Sequence, residues 1–381
     1  MADTLNKAAS EDVYALATPE EIIEDARNGR MYILVDAEDR ENEGDLIIPA
    51  QFATPDAINF MAKYGRGLIC LAIEQSKADV LGLKNMSADN RSRFETAFTQ
   101  SIEAREGVTT GISAGDRSHT IQTAIDPDSR VDDIVSPGHM FPIIAKDGGV
   151  LVRTGHTEAS VDISRLAGLN PSAVICEIMN DDGTMARLPD LIKFARFHGL
   201  KIGTIEALVK HRMQRDHFVR HIASSSFKSQ DGDEFKIHVY RNYLDNLEHV
   251  ALSKGDAVEG AESLVRVHKI DFAGDILHED SPRSGLIRDA MRQLAAHDGH
   301  AVLVLIREGS IDTLLERLGA NDAAMAVNKK EQNIREYGVG AQILVDQGVR
   351  KMRLITGTMP RLVGLEAYKL ELAGITPLVS K

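Results

Sequence analysis

The chain has 381 residues, of which 43% are hydrophobic, and its 44 lysines and arginines against 57 acidic residues give a formal net charge of −13. Because it has no basic block, no signal peptide and no apolar run near the ~20 residues of a membrane-spanning helix, we expect a cytoplasmic chain that binds neither nucleic acid nor membrane. Its two cysteines, Cys70 and Cys176, lie in apolar runs, which argues against a disulfide framework and a cysteine-rich zinc site.

The first predicted element is a helix in the segment TPEEIIEDARNG. Thr18 is the expected N-cap, Pro19 the first helical residue, Glu21 the capping-box partner and Gly29 the terminator. Apolar runs predict strands at 31–37, 44–50, 67–73, 119–125, 148–154 and 173–179, with helices such as 55–65 and 188–199 between them. This alternation predicts a mixed α/β (α+β) fold.

An acidic stretch, DAEDRENEGDL at residues 36–46, lies between two of these apolar runs. It has three interpretations. A charge run in a loop is often only solvated, and Asp39 to Gly44 also fits the start of a calcium-binding loop, although Ala50 stands where that loop needs a bidentate glutamate. The third is a site for a hard cation, which would relieve the repulsion between crowded carboxylates, with Arg40 suited to a phosphate or carboxylate.

A second stretch, RTGHTEA at residues 153–159, connects a β-rich segment to a helical pattern. Helix N-termini bind anions because their free N–H groups and the helix dipole point at the ligand. Arg153, Thr154 and Thr157 supply donors, and His156 supplies an imidazole, although a single histidine is more often structural than a ligand.

Three weaker signals lie between and after these stretches. His139 stands in the turn-like segment SPGHMFP, where it is either a loop histidine or a catalytic group. Glu177 stands in the apolar run VICEIM, where burial would raise its pKa and suit proton transfer, unless its side chain faces water. The segment VTTGISAGDRSHT has the composition of an ordinary loop and equally of a phosphate-binding one.

The composition changes between residues 212 and 240, where helical periodicity gives way to serine, aspartate and glycine. We place the domain boundary there, with one domain at 1–216 and another at 217–381. Strand-like and helix-like runs alternate on both sides of it. The sequence therefore predicts two domains, each a β-sheet covered by helices.

Taken together, the segments DAEDRENEGDL, TTGISAGDRSHT, SPGHMFP, GGVLVRTGHTEASVDISRLAGL and AVICEIMNDDGTMARLPDL resemble the 3,4-dihydroxy-2-butanone 4-phosphate synthases of riboflavin biosynthesis. The resemblance covers residues 12–212. It implies a homodimeric lyase that uses Mg²⁺ or Mn²⁺ to convert the sugar phosphate ribulose 5-phosphate into 3,4-dihydroxy-2-butanone 4-phosphate and formate, with its active sites at the subunit interface.

The same resemblance implies a role for each motif residue. Glu41 and His156 would hold the metal, and His139 and Glu177 would transfer protons. The residues implied to contact the substrate are Arg40, Glu41, Asp45, Arg153, Thr154, Gly155, His156, Thr157 and Glu177.

Residues 235–381 resemble GTP cyclohydrolase II through HVALSKGD, SLVRVH and REYGVGAQILVDQGVRKMRLITG. Where that family has three zinc cysteines, this chain has Asp271, Pro282 and Ser284, and a proline offers no donor atom. The family's catalytic stretch is also shortened, to residues 304–318. We therefore expect no zinc and a degenerate domain, with two alternatives: a bifunctional enzyme, or a regulatory or interaction module that binds a nucleotide or flavin or stabilises the dimer.

Overall fold

The computed structural model describes residues 15–87, 89–90, 94, 96–230, 233–281, 283–307, 329–356 and 368–379, with the side chains of 329–337 left aside. The chain divides into two compact units, of which the first ends at His211 and the second begins at Arg212. No helix in these ranges has both the length and the apolar character needed to cross a membrane.

The first unit is a seven-stranded mixed sheet with the strand order β4-β5-β3-β6-β2-β1-β7. Its strands are β1 (Tyr32–Val35), β2 (Gly44–Pro49), β3 (Cys70–Glu74), β4 (Ile102–Ala104), β5 (Ile134–Ala145), β6 (Ala173–Glu177) and β7 (Ile202–Thr204). Its helices are α1 (Pro19–Arg27), α2 (Pro55–Phe60), α3 (Gln75–Val80), α4 (Ala114–Ile125), α5 (His156–Leu166), α6 (Leu188–His198) and α7 (Ile205–Arg215), the last of which continues into the second unit.

Helix α1 begins as its sequence predicts. The Thr18 hydroxyl accepts the N–H of Glu21 at 3.3 Å, and the Glu21 carboxylate accepts the N–H of Thr18 at 2.9 Å, which completes the capping box. Asn28 caps the other end, and Gly29 follows with φ of +70°, a conformation that glycine adopts without a steric penalty.

Two of the predicted strands are wrong. Residues 119–125 form the second half of α4, because the Ser113 hydroxyl accepts the N–H of Asp116 at 3.0 Å and starts a helix in which Thr120, Ile121 and Ala124 are buried at helical spacing. Residues 148–154 form a short 3₁₀ turn at Gly149–Leu151 and irregular chain, because the N–H of Val150 donates to the Asp162 carboxylate at 2.8 Å instead of to a strand.

The second unit is another seven-stranded mixed sheet, in the order β14-β13-β11-β12-β10-β9-β8. Its strands are β8 (Val219–Lys228), β9 (Glu234–Asn242), β10 (Glu248–Lys254), β11 (Glu262–Lys269), β12 (Ala301–Ile306), β13 (Lys351–Ile355) and β14 (Glu371–Thr376). Its helices are α8 (Leu286–Ala295) and α9 (Lys329–Asp346), with a π-helical turn at Phe272–Ile276. Two sheets with helices packed on them confirm the predicted mixed α/β class.

Candidate active site

The acidic loop between β1 and β2 folds around one buried carboxylate, that of Asp36. Its Oδ2 atom accepts the N–H of Glu41 at 3.0 Å, and its Oδ1 atom accepts the N–H of Glu43 at 2.9 Å. Sequence reasoning did not include Asp36 among the site residues. The one available signal was its position at the end of a buried strand, where a carboxylate can accept the free N–H groups of the following turn.

Arg40 compensates part of the loop's negative charge. Its guanidinium donates to Asp36 at 2.9 Å and to Glu41 at 2.6 Å, and it lies 4.8 Å from the centre of the Phe94 ring. The Arg40 side chain is 8% exposed, so these are poorly screened, charge-assisted contacts. Arg40 therefore links Asp36 and Glu41 and holds the loop together.

His156, the first residue of α5, brings an imidazole to this loop. Its Nε2 atom lies 3.2 Å from the main-chain oxygen of Leu34, a residue paired with Asp45 between β1 and β2. Because a carbonyl oxygen only accepts hydrogen bonds, Nε2 carries a proton and Nδ1 faces the carboxylates. Nδ1 lies 3.8 Å from Glu41 Oε2 and 3.9 Å from Asp45 Oδ1.

The cluster contains a set of atoms that suits a metal ion. Asp36, Glu41 and His156 each offer one ligand atom, and these atoms lie within 4.8 Å of one another, the one such group that the described part of the chain contains. Carboxylate oxygens are the preferred ligands of Mg²⁺, and a histidine bonded through Nε2–H to a carbonyl presents Nδ1 as a ligand. The donor chemistry therefore fits a divalent cation.

The charges of the cluster shift three pKa values. Burial raises the pKa of Asp45 to about 7, helped by Glu177 and Glu41 and opposed by His156. Burial also opposes ionisation of Glu41, but contact with His156 and the charge of Arg40 outweigh it and lower that pKa to about 2. Burial alone would lower the pKa of His156, yet the neighbouring carboxylates, Asp45 above all, raise it to about 9. The carboxylates and the imidazole of the cluster are thus electrostatically coupled to one another.

Arg153 and Gly155 form the wall beside this cluster. Arg153 donates to the buried carboxylate of Glu158 at 2.7 Å and to the Thr96 hydroxyl at 3.0 Å. A Cβ atom on Gly155 would lie 2.4 Å from the Arg153 guanidinium and 3.1 Å from that of Arg40. Only glycine leaves the two guanidinium groups room beside the N-terminus of α5, where Thr154 is half-buried and Thr157 is buried.

Glu177 is the direct neighbour of Asp45 on the adjacent strand, since the two residues are paired between β2 and β6. Directly paired residues share one face of a sheet. The Glu177 carboxylate accepts the N–H of Leu68 at 2.8 Å, and a Cβ atom on Gly67 would lie 2.5 Å from it. A backbone donor and a glycine therefore fix this half-buried carboxylate in position.

His139 lies three strands away from Asp45 in the sheet order. It belongs to β5, and its exposed ring bonds through Nδ1 to the Glu103 carboxylate of β4 at 2.5 Å. The structure thus brings Arg40, Glu41, Asp45 and His156 together, with Arg153 and Gly155 beside them and Glu177 opposite Asp45. The described polar contacts of His139 do not include any of these residues.

In the second unit, the residues at the positions of the zinc cysteines make other contacts. Asp271 accepts the N–H of Gly274 at 2.7 Å and caps the π-helical turn, while Ser284 donates its N–H to the main-chain oxygen of Ser281 in a turn. His268 bonds to the buried Asp275 at 2.7 Å. Pro282 and residues 308–318 of the shortened stretch lie outside the described residues.

Comparison with known proteins agrees with both halves of the chain. The family model of 3,4-dihydroxy-2-butanone 4-phosphate synthase matches residues 20–211, and that of GTP cyclohydrolase II matches residues 220–377. A riboflavin biosynthesis protein RibBA of Aquifex aeolicus is 46% identical over 95% of this chain and 92% of its own length. A 3,4-dihydroxy-2-butanone 4-phosphate synthase of Photobacterium phosphoreum is 46% identical over 94% of this chain and 98% of its own.

Solved structures give the same result. The crystal structure of RibBX from A. baumannii, described as a two-domain 3,4-dihydroxy-2-butanone 4-phosphate synthase, is 38% identical and superposes with a TM-score of 0.76 over 96% of this chain and 100% of its own. A 3,4-dihydroxy-2-butanone 4-phosphate synthase in complex with two magnesium ions is 37% identical, with a TM-score of 0.50 over 52% of this chain and 98% of its own. The chain belongs to the 3,4-dihydroxy-2-butanone 4-phosphate synthase family of riboflavin biosynthesis, with its synthase domain fused to a GTP cyclohydrolase II domain.

Proposed function

We propose that the first unit converts D-ribulose 5-phosphate into 3,4-dihydroxy-2-butanone 4-phosphate and formate, with Mg²⁺ or Mn²⁺ held by Glu41 and His156. The observation that carries this proposal is the orientation of His156. Its Nε2–H is bonded to Leu34, so its remaining nitrogen faces the Glu41 and Asp45 carboxylates at ion-pair distance.

The donor set supports either metal. The excess of carboxylates around one imidazole offers mostly oxygen ligands, which suit Mg²⁺, while the nitrogen ligand also admits Mn²⁺. When bound, a divalent cation supplies charge that polarises the ketose carbonyl. The Asp36 carboxylate accepts the main-chain N–H groups of Glu41 and Glu43 and so fixes the position of the Glu41 main chain.

The substrate phosphate and hydroxyl groups find their partners around the N-terminus of α5. Arg153 and Arg40 flank Gly155, and the first N–H groups of α5 follow at His156 and Thr157. Thr154 and Asp45 complete the proposed substrate contacts. Glu41, Gly155 and Glu177 border the same space.

Glu177 and His139 are the proposed proton-transfer groups. The N–H of Leu68 keeps the Glu177 carboxylate on the face shared with Asp45. His139 is bonded to Glu103, a carboxylate that would orient its ring. Because His139 lies three strands from Asp45 and its described polar contacts are with Glu103, a homodimer in which His139 of one subunit serves the site of the other is part of this proposal.

Formate release from ribulose 5-phosphate tests the proposal. Activity should require Mg²⁺ or Mn²⁺, disappear in excess chelator and return when the metal is restored. Glu41→Gln should lose activity, whereas Glu38→Gln, an exposed neighbour in the same loop, should retain it. Metal-independent release, or an active Glu41→Gln enzyme, would rule out the proposed metal site.

We propose a domain boundary at 216/217, a few residues after the start of the second unit at Arg212, and a degenerate second domain of the cyclohydrolase type that binds no zinc. The supporting observation is that the carboxylate of Asp271, at the position of one zinc cysteine, accepts the N–H of Gly274 and caps a turn. The purified full chain should release no formate from GTP and contain no stoichiometric zinc. Zinc together with GTP turnover would instead make the protein bifunctional.

A further inference from the structure

The second unit contains an open cleft of about 1140 Å³ at one edge of its sheet. Its lining comes from the ends of β8 and β10, the start of β9, the turn Gly255–Ala257, His300 and the end of α9. Because β11 and β12 are parallel, His300 before β12 and Asp271 after β11 lie at opposite ends of these strands. The cleft is therefore separate from the position of the cyclohydrolase zinc site.

The floor of this cleft is polar where a covered sheet face would be apolar. Ser226, Lys236 and Ser253 are directly paired across β8, β9 and β10, so their side chains share one face. His238, two residues after Lys236, shares that face and is 7% exposed. The residues next in sequence, Phe235 and Leu252, face the other way into the apolar core.

Most of the buried polar groups on this floor are satisfied by one another. His238 bonds to the Ser224 hydroxyl at 2.8 Å and to the Ser253 hydroxyl at 2.9 Å, which fixes both nitrogens of its ring. Burial lowers the pKa of His238, with the charge of Lys236 acting in the same direction. A neutral, fully bonded histidine thus forms a rigid base for the cleft.

Two side-chain nitrogens in the cleft have no hydrogen-bond or ion-pair partner among the residues that the structure describes. His300 is 7% exposed and bonds to the Ser263 hydroxyl through Nδ1 at 2.9 Å, while its Nε2 bonds to none of them. Lys236 makes no ion pair with them either. The neighbouring lysines differ, since Lys228 lies 3.6 Å from Glu234 and Lys254 donates to the main-chain oxygen of His297 at 2.8 Å.

Polar residues at positions where packing favours apolar side chains are expected mainly at functional sites. We propose that this cleft binds the phosphate group of a small phosphorylated molecule through Lys236 and His300. The two side chains come from β9 and from the residue before β12, on either side of β10, and Lys236 supplies the positive charge. A phosphate ester matches them better than a carboxylate does, because it carries up to two negative charges and its three terminal oxygens accept from different directions. The cleft, at about 1140 Å³, leaves room for the organic part of such a molecule.

Nuclear magnetic resonance of the full chain with ¹⁵N-labelled histidine tests this at the cleft itself, apart from phosphate binding in the first unit. Glycerol 3-phosphate should move the Nε2 resonance of His300, identified through His300→Gln, while glycerol should leave it unmoved. Lys236→Met should raise the half-saturating concentration by about tenfold or more, because it removes a charged donor. The control is Lys351→Met, which replaces a partly exposed lysine paired with Glu371 outside the cleft. Its half-saturating concentration of glycerol 3-phosphate should equal that of the unmodified chain.

Formate release from ribulose 5-phosphate should be unchanged in Lys236→Met. The proposal is overturned if glycerol 3-phosphate leaves His300 unmoved, if sulfate at equal ionic strength moves it as much, or if Lys236→Met titrates normally. Lys236 is exposed, so its replacement keeps the test decisive even if the buried His300→Gln variant does not fold. In that case His300 is identified by the change in its ring-nitrogen resonances in Ser263→Ala, which removes the hydroxyl group bonded to Nδ1.

Discussion

The Nε2 atom of His156 lies 3.2 Å from the main-chain oxygen of Leu34, and this contact determines which imidazole nitrogen faces the acidic loop. Leu34 is paired with Asp45 in the neighbouring strand, so the strand that orients the histidine also positions a carboxylate beside it. The sheet and the first residue of α5 thus place an imidazole nitrogen and two carboxylates close together.

If His156 binds the metal as proposed, His156→Asn should lower turnover by about 10²-fold or more. Because the ring is buried and bonded to the sheet, we also expect a loss of ~1–3 kcal/mol in the free energy of unfolding. The matched control is His119→Asn, an exposed histidine whose ring also contacts a main-chain oxygen, that of Glu106 at 3.0 Å. Steady-state kinetics and denaturant unfolding measure both effects. Equal losses in the two variants would contradict the assignment.

Metal affinity should rise with pH. Without metal, His156 keeps a second proton up to its raised pKa of about 9, and this proton must leave Nδ1 before the nitrogen can bind a cation. Between pH 7 and 9 one proton is released, so affinity should increase by about tenfold per pH unit and level off above 9. Below pH 7, protonation of Asp45, whose pKa is raised to about 7, should weaken binding further.

Calorimetric titration of Mn²⁺ in two buffers of different ionisation enthalpy measures that proton release directly. Glu41 should contribute nothing to it near neutrality, because its pKa is lowered to about 2. An affinity that stays constant between pH 7 and 9 would show that His156 does not bind the metal.

Gly155→Ala should damage the site through crowding. The added methyl group would lie 2.4 Å from the Arg153 guanidinium and 2.7 Å from the Glu158 carboxylate, both of which are held by other contacts. We expect a loss of ~1–3 kcal/mol in stability and reduced turnover. Gly115→Ala is the control, since a methyl group on Gly115 in α4 meets only the Ser113 hydroxyl, at 3.8 Å. That change should be neutral or should stabilise by ~0.5–1 kcal/mol. If both variants unfold at the same denaturant concentration, crowding at Gly155 is unimportant.

The elements that depend on local interactions could be predicted from the sequence. Thr18, Pro19 and Glu21 start α1 through contacts within one turn, and both the helix and its capping box are confirmed. The runs at β1, β2, β3 and β6 are apolar because both faces of these strands are buried, which also follows from sequence.

The errors came from long-range contacts and from ambiguous composition. The run at 119–125 is rich in β-branched residues, yet a cap at Ser113 makes it helical. Residues 148–154 do not join the sheet, because the N–H of Val150 donates to the Asp162 carboxylate. Asp36 was missed for a related reason, since its role is to accept main-chain N–H groups of a loop whose conformation the sequence does not reveal.

Asp36→Asn tests that role. An amide keeps one acceptor oxygen but loses the charge that holds Arg40 at 2.9 Å and replaces the other acceptor with a donor aimed at an N–H group. We expect the loop to loosen, with metal affinity lowered by about 10- to 100-fold. Asp39→Asn, an exposed acid of the same loop, should bind metal normally. Normal metal affinity in Asp36→Asn would reduce Asp36 to a dispensable loop residue.

Glu177→Gln separates proton transfer from substrate positioning. The variant keeps the side-chain length and an oxygen that can accept the N–H of Leu68 at the same place, so the sheet and the neighbouring Asp45 should be undisturbed. If Glu177 transfers a proton, the turnover number should fall by ~10²–10⁴-fold while substrate still binds, because the amide cannot take up the proton. Single-turnover formate release with separate measurement of ribulose 5-phosphate binding resolves the two quantities. Unchanged turnover with weaker binding would assign Glu177 to substrate contact alone. The proton would then have to pass to another group on the same face of the sheet. The nearest such group in register is the buried Asp45, whose pKa is raised to about 7.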